Sequence, residues 1–212
     1  MIAHRGASGH APENTIAAFR RAVELGAMFI ETDLHLTRDA ELVAIHDTTL
    51  ERTTNGTGAV KKHTLAELRE LDAGAWFSPE FAGEKIPTLE EIAAFAREQD
   101  VVFFLELRAD AAWGAEHALV AALRRVGEAA RTAVLSYFPS ALATVLKLDP
   151  TLMTGFLFSD PIPEVVEKAV AIGARQIAPE APLATPELVA EAHARDLQVL
   201  TWTVNDPAEM KR

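Results

Sequence analysis

Residues 88–126, TLEEIAAFAREQDVVFFLELRADAAWGAEHALVAALRRV, read as one strand between two helices, and that arrangement decides the fold. Thr88, with Glu91 three residues later, is a capping box, so a helix opens there and reaches about residue 98. Residues 101–107 are nearly all apolar, as expected of a strand buried on both faces. Residues 111–126 read as helix again. A strand covered on both faces by helices belongs to a parallel sheet.

The same rhythm extends outward. Downstream come a strand at 133–136, a helix at 139–148 and a strand at 154–158. Asp160-Pro161 then caps a helix running to about residue 172. A strand at 176–178, a helix from Thr185-Pro186 to about residue 195 and a strand at 199–204 complete the series. Upstream, Ile2-Ala3 is a short strand, and a helix opens at Asn14 or Thr15 and stops at Gly26. Its apolar stripe is Thr15, Ala18, Phe19, Ala22 and Val23. With the first strand of a hairpin over 29–47, this predicts an α/β TIM (β/α)8 barrel, with a doubly wound open sheet as the competing layout.

The chain is read as one domain over residues 1–212, interrupted by an insertion at about 48–87. The insertion is rich in turns, carries Trp76, Phe77 and Phe81, and opens a short helix with the capping box Thr64/Glu67. Near the end, Asp206 and Glu209 read as the start of one more helix. The eighth strand is missing, so the natural protein is expected to continue for about 25 to 35 residues, one helix and one strand of ordinary length.

Residues 29–47, FIETDLHLTRDAELVAIHD, read as two strands around a tight turn. Glu31 and Asp33 are two apart and share a face, while Ile30, Thr32, Leu34 and Leu36 take the other. A two-residue loop at Asp39-Ala40 would place His46 opposite Asp33, with Glu31 a diagonal neighbour. The alternative is a solvated hairpin with incidental charges.

Bulk properties exclude several functions. The net charge of −11 disfavours nucleic acid and an electrostatic membrane anchor. An anionic small substrate remains open, because a bound cation reverses the local sign. The chain has no cysteine, hence no disulfide or thiolate chemistry. No apolar run approaches ~18 residues and no signal region opens the sequence, so a cytoplasmic protein without a stable membrane anchor is expected. Monomer and homodimer both stay open.

In such barrels the active groups gather at the carboxyl ends of strands. That rule selects His4 and Arg5, Glu31 and Asp33, His46, Glu106, and Trp202 with Asn205 just beyond it. Glu106 lies in so apolar a run that it should be paired or metal-bound. Three converging carboxylates repel without a cation, and oxygen-only ligation suits Mg²⁺, Ca²⁺ or Mn²⁺. His4 and His46 remain for proton transfer, and the Arg5 guanidinium suits phosphate. Phe77 and Trp202 are candidates for the substrate surface. Each has a plainer alternative: an ion pair for Glu106, a polar core residue for His46, packing for Trp202. His35 shares the face of Asp33 and could touch substrate, whereas Glu13 reads as a brace for its loop.

HRGASGHAPENT, IETDLHLTRD, VAIHDTTLERTTNGTG, LDAGAWFSPEFAGEKIPTLEEI and TWTVN, in that order, resemble the glycerophosphodiester phosphodiesterase family, bacterial cytoplasmic type. The resemblance covers almost the whole chain. It implies a TIM barrel of the phosphatidylinositol-phosphodiesterase-like type with a small insertion after the second strand. It implies hydrolysis of glycerophosphodiesters to glycerol 3-phosphate and an alcohol, with one divalent cation on Glu31, Asp33 and Glu106. His4 and His46 would be the acid–base pair, and Arg5 would contact phosphate. Arg108 stands where the family usually has a lysine that helps hold the phosphate. The other readings are a catalytically weak, phosphodiester-binding barrel and a lysophospholipid-specific phosphodiesterase.

Overall fold

The computed structural model of the chain describes residues 1–108, 114–127 and 129–211. They fall into two compact units, Met1–Ala133 and Val134–Arg212. In chain order the first holds β1 (Ile2–Ala3), α1 (Ile16–Glu24), β2 (Phe29–Leu36), β3 (Leu42–Ala44), α2 (Leu65–Arg69), α3 (Leu89–Gln99), β4 (Val102–Leu107) and α4 (Ala115–Val126). The helix expected from residue 111 is thus seen from Ala115, and the part at 111–113 lies outside the described residues.

β2 organises this unit. β4 runs parallel along one edge, from Phe29↔Val102 to Leu34↔Leu107. The other edge is shared. β1 pairs parallel with Phe29 and Ile30, and β3 pairs antiparallel with Leu34, His35 and Leu36. Between them the edge beside Glu31–Asp33 is left to the loop that follows β1. Behind the strands, Phe19 of α1 packs edge-on against Phe103 at 5.1 Å and tilted against Phe95 of α3 at 6.2 Å. Thr15 caps α1 and Thr88 caps α3 with a full capping box, both as expected.

The hairpin differs from expectation. Its loop has three residues, 38–40, closed by Thr37 N–H donating to the Glu41 carbonyl at 2.8 Å. Ala40 takes a left-handed φ of 64°, the geometry of a three-residue hairpin loop, at a cost of about 1–2 kcal/mol for a residue with a Cβ. Asp39 offsets part of this by accepting from the Thr37 hydroxyl and the Leu65 N–H. One extra loop residue shifts the register by one, so Leu36 faces Leu42 and the Ile45 N–H reaches the Asp33 carbonyl. Ile45, not His46, therefore follows the ladder opposite Asp33, and His46 lies beyond the strand.

The segment after β3 packs back against it. Val43 and Ile45 share one buried cluster with Leu50, Val60, Leu68, Ala73 and Ile86. Thr64 and Glu67 form the expected capping box of α2. Asp72 accepts the N–H groups of Gly74, Ala75 and Gly83, each at 2.8 Å.

The second unit begins inside β5 (Thr132–Ser136) and continues with α5 (Pro139–Leu148), β6 (Met153–Phe158), α6 (Val165–Ile172), β7 (Gln176–Pro179), α7 (Pro186–His193), β8 (Gln198–Val199) and α8 (Pro207–Lys211). The strand order is β5-β6-β7-β8, with parallel ladders from Gly155↔Gln176 and Gln176↔Gln198 onward. Leu142, Phe156, Val166, Ala169, Ile177 and Leu197 are among its buried core. Two expectations fail here. α6 starts at Val165, not at Asp160, because Pro163 pushes Ile162, which would be the second helical residue after that cap, out of the helical region. The last strand ends at Val199; beyond it Trp202 makes only a single bridge to Glu180. Asp206 does open α8, accepting from Ala208 N–H. Strand and helix alternate through both units, which gives the expected TIM (β/α)8 class, with β3 as the additional hairpin strand.

Candidate active site

The parallel register of β2 and β4 builds the centre of the site. Asp33 pairs with Glu106, and Glu31 lies two residues before Asp33, so all three side chains emerge on one face. Their carboxylates can place one oxygen each within 4.8 Å of the others. All are buried: Asp33 is 0% exposed, and Glu31 and Glu106 are each 7%. Burial and then the Asp33 and Glu106 charges raise the Glu31 pKa well above the ordinary carboxylate range. Burial and Asp33 push Glu106 up to about 7. Glu31 Oε1 and Asp33 Oδ1 are buried without a hydrogen-bond donor. Three converging buried carboxylates, two of them with an oxygen that no donor reaches, are what a hard divalent cation takes, so these residues fit the cation the sequence implies.

The loop after β1 closes over this face. Arg5 N–H donates to Glu31 Oε2 at 2.9 Å, and Arg5 Nε lies 3.3 Å from Asp33 Oδ2. To do so Arg5 takes a left-handed φ of 57°, and Gly6 follows at 78°. Gly6 has no room for a side chain: a Cβ there would sit 2.7 Å from the Ala18 backbone of α1. His4 brings Nε2 to 3.8 Å from Glu31 Oε2. Burial and the Arg5 charge hold the His4 pKa below the usual imidazole range. Arg108, just past β4, donates to Glu106 Oε1 at 2.6 Å and lies 3.5 Å from Asp33 Oδ1.

His46 follows β3. Its carbonyl is bonded at 3.0 Å by Nε2 of His35, and its Nδ1 is 2.7 Å from Asp47 Oδ1. A charge on His46 also lowers the His4 pKa, so the two imidazoles share one neighbourhood. His35 itself is 1% exposed, which corrects the expectation that it could touch substrate: it anchors the backbone of His46.

His4, Arg5, Glu31, Asp33, His46, Glu106 and Arg108 thus share the first unit. Phe77 lies in the segment between β3 and α3, edge-to-face with Trp76 and Phe81 at 5.7 Å each. Trp202 belongs to the second unit, where its indole N–H donates to the Ala178 carbonyl and Tyr137 packs edge-on at 6.0 Å. Sequence reasoning missed three residues. Asn14 does not cap α1: at φ 57° it donates to Asp33 Oδ2 at 2.9 Å and accepts from the Thr32 hydroxyl at 2.7 Å. Asp47 and Arg52 join His46 to Glu13. Adjacency to His46 was the one local signal for Asp47; Arg52 and Asn14 gave none.

The model of the glycerophosphoryl diester phosphodiesterase family matches residues 4–212. A glycerophosphodiester phosphodiesterase of Caldanaerobacter subterraneus subsp. tengcongensis is 40% identical over 214 residues, covering 100% of this chain and 88% of the relative. One from Bacillus subtilis is 35% identical, with 100% of this chain and 78% of the relative covered. Among solved structures, an Oleispira antarctica phosphodiesterase in complex with the product sn-glycerol-3-phosphate superposes with a TM-score of 0.90 at 32% identity, over 99% of this chain and 87% of that one. A match of this extent, carried through both units, makes the chain a member of the glycerophosphoryl diester phosphodiesterase family.

Proposed function

We propose that the protein hydrolyses glycerophosphodiesters, such as glycerophosphocholine or glycerophosphoethanolamine, to glycerol 3-phosphate and an alcohol. The observation that carries this is the convergence of Glu31, Asp33 and Glu106 beneath the His4–Arg5 turn, in a chain of this family. Glu31, Asp33 and Glu106 would hold one divalent cation, Mg²⁺ or Ca²⁺ with Mn²⁺ a third choice. When bound, it supplies Lewis-acid polarisation of the phosphoryl oxygens.

The chain's own groups divide the remaining work. Arg5 and Arg108 carry positive charge to the rim of the carboxylates and bind the phosphate. His4, kept neutral at pH 7 by burial and Arg5, accepts the proton of the attacking oxygen. His46 donates a proton to the leaving alkoxide. Phe77 contributes substrate surface. Among the described residues no helix is long and apolar enough to cross a membrane.

The test is release of glycerol 3-phosphate from glycerophosphocholine, with Mg²⁺ or Ca²⁺ and after exhaustive chelation. Cation-dependent release is expected. Absence of release from both glycerophosphodiesters, or full activity after chelation, would overturn this reading.

A further inference from the structure

Arg52 joins the two halves of the site. Its Nε and Nη2 donate to Asp47 at 2.7 and 2.9 Å. Its Nη1 and Nη2 donate to Glu13 at 2.9 and 2.8 Å. Glu13 in turn accepts from Arg5 Nη1 at 3.0 Å, and Asp47 contacts His46 Nδ1 at 2.7 Å. One planar guanidinium therefore fastens two carboxylates, one on the imidazole and one on the arginine of the β1 loop.

The chemistry of the acceptor fixes the proton on the ring. A carboxylate gripped by two N–H groups of a guanidinium is ionised and can only accept. The Arg52 and His46 hydrogen bonds lower the Asp47 pKa, in keeping with this. The short contact to His46 then needs a hydrogen on Nδ1. The neutral ring is the Nδ1–H tautomer, and Nε2 is the atom that gains and loses the catalytic proton.

We propose that Arg52 is a positioning residue: through Asp47 it holds His46 in the Nδ1–H tautomer, and through Glu13 it fixes that ring relative to Arg5. This rests on the acid–base role given to His46 above. Lysine replaces Arg52 only in part, because one ammonium keeps the charge but cannot present two planar forks.

The experiment pairs kinetics with ¹⁵N spectra of the His46 ring in the full chain, at a pH where the ring is neutral. The His46 signals are identified by their loss in His46→Gln. In the unaltered protein the Nδ1–H tautomer is expected. Arg52→Gln should give a mixture of tautomers and lower kcat for glycerophosphocholine about tenfold, with KM changed by less than about threefold, a smaller loss than that of a proton-transfer group itself. Arg52→Lys should fall between. Asp47→Ala removes the acceptor on a smaller scale of disturbance, and should also mix the tautomers. An Nε2–H ring in the unaltered protein, or an unchanged tautomer in both Arg52→Gln and Asp47→Ala, would overturn the proposal. So would a loss confined to KM, which would make Arg52 a substrate contact. If the unaltered protein cleaves no glycerophosphodiester, the functional reading fails, while the spectra still decide the tautomer.

Discussion

Asp33 and Glu106 are register partners across β2 and β4, so the backbone ladder itself holds two carboxylates side by side in a buried place. The native state answers by favouring the protonated form: Glu106 is raised to about 7, and Glu31 is raised as well. A raised folded pKa gives stability that is full below the unfolded value, near 4.5, and is lost as pH rises through about 7. A cation binds the deprotonated carboxylates and reverses that loss. The gain in melting temperature from Mg²⁺ or Ca²⁺ over EDTA should therefore be larger at pH 8 than at pH 5. Glu106→Gln should abolish most of the difference. Thermal melts at the two pH values decide it; an equal gain at both would place the cation elsewhere.

His4 and His46 should each be needed for turnover and dispensable for folding. Both rings are partly exposed, and His4 lies 3.8 Å from the Glu31 carboxylate. His4→Ala and His46→Ala are each expected to lower kcat by about 10²-fold or more. Circular dichroism and the melting curve should stay close to those of the unaltered protein. A variant with near-normal kcat removes that histidine from proton transfer.

The sequence revealed the carboxylates more readily than their supports, and the reason is physical. Glu31 and Asp33 lie on one face by strand alternation alone, and Glu106 stands out as a charge within an apolar run. His46 was found for a reason that proved incomplete. Its expected position opposite Asp33 assumed a two-residue loop, and Ala40 in the left-handed region gave no glycine or asparagine to mark the longer one. Asn14 and Arg52 act across 19 and 39 residues of chain, on Asp33 and Glu13 respectively. Such pairings are set by tertiary contact and leave no local pattern. Asp160-Pro161 has the form of a helix start, but Pro163 two residues on excludes the turn that it would open.

Asn14 should carry a stability cost out of proportion to its size. It is 3% exposed and bridges Asp33 to Thr32. Asn14→Ala leaves the Thr32 hydroxyl and one Asp33 oxygen without this partner in the interior. A loss of about 1–3 kcal/mol is expected, the range for a buried polar group stripped of its hydrogen bond. Denaturant titration with unchanged m-value gives the number, and a change under about 0.5 kcal/mol would mean that water takes the place of the amide. Because Asp33 is also a proposed cation ligand, the same variant should weaken Mg²⁺ binding.

Arg108 is placed to act on the carboxylates and on the substrate in opposite senses. Its Nη1 bonds Glu106 and lies near Asp33, so its charge partly neutralises the acidic face. That charge lowers the Glu106 pKa, against the effects of burial and Asp33. Removing it should make the face more negative. Above pH 8, where Glu106 is deprotonated, Arg108→Gln should bind Mg²⁺ more tightly by about fivefold, the size expected for one partly exposed charge. Near pH 6 the gain should shrink, because protons compete harder for Glu106 without the arginine. Substrate should respond the other way: KM for glycerophosphocholine rises as a phosphate-binding charge is lost. Arg108→Lys keeps the charge and should stay near the unaltered protein in both, unless the planar fork matters. Calorimetry of cation binding at the two pH values, beside KM, separates the effects. Weaker Mg²⁺ binding at pH 8 in Arg108→Gln would show that Arg108 organises the carboxylates and does not oppose the cation.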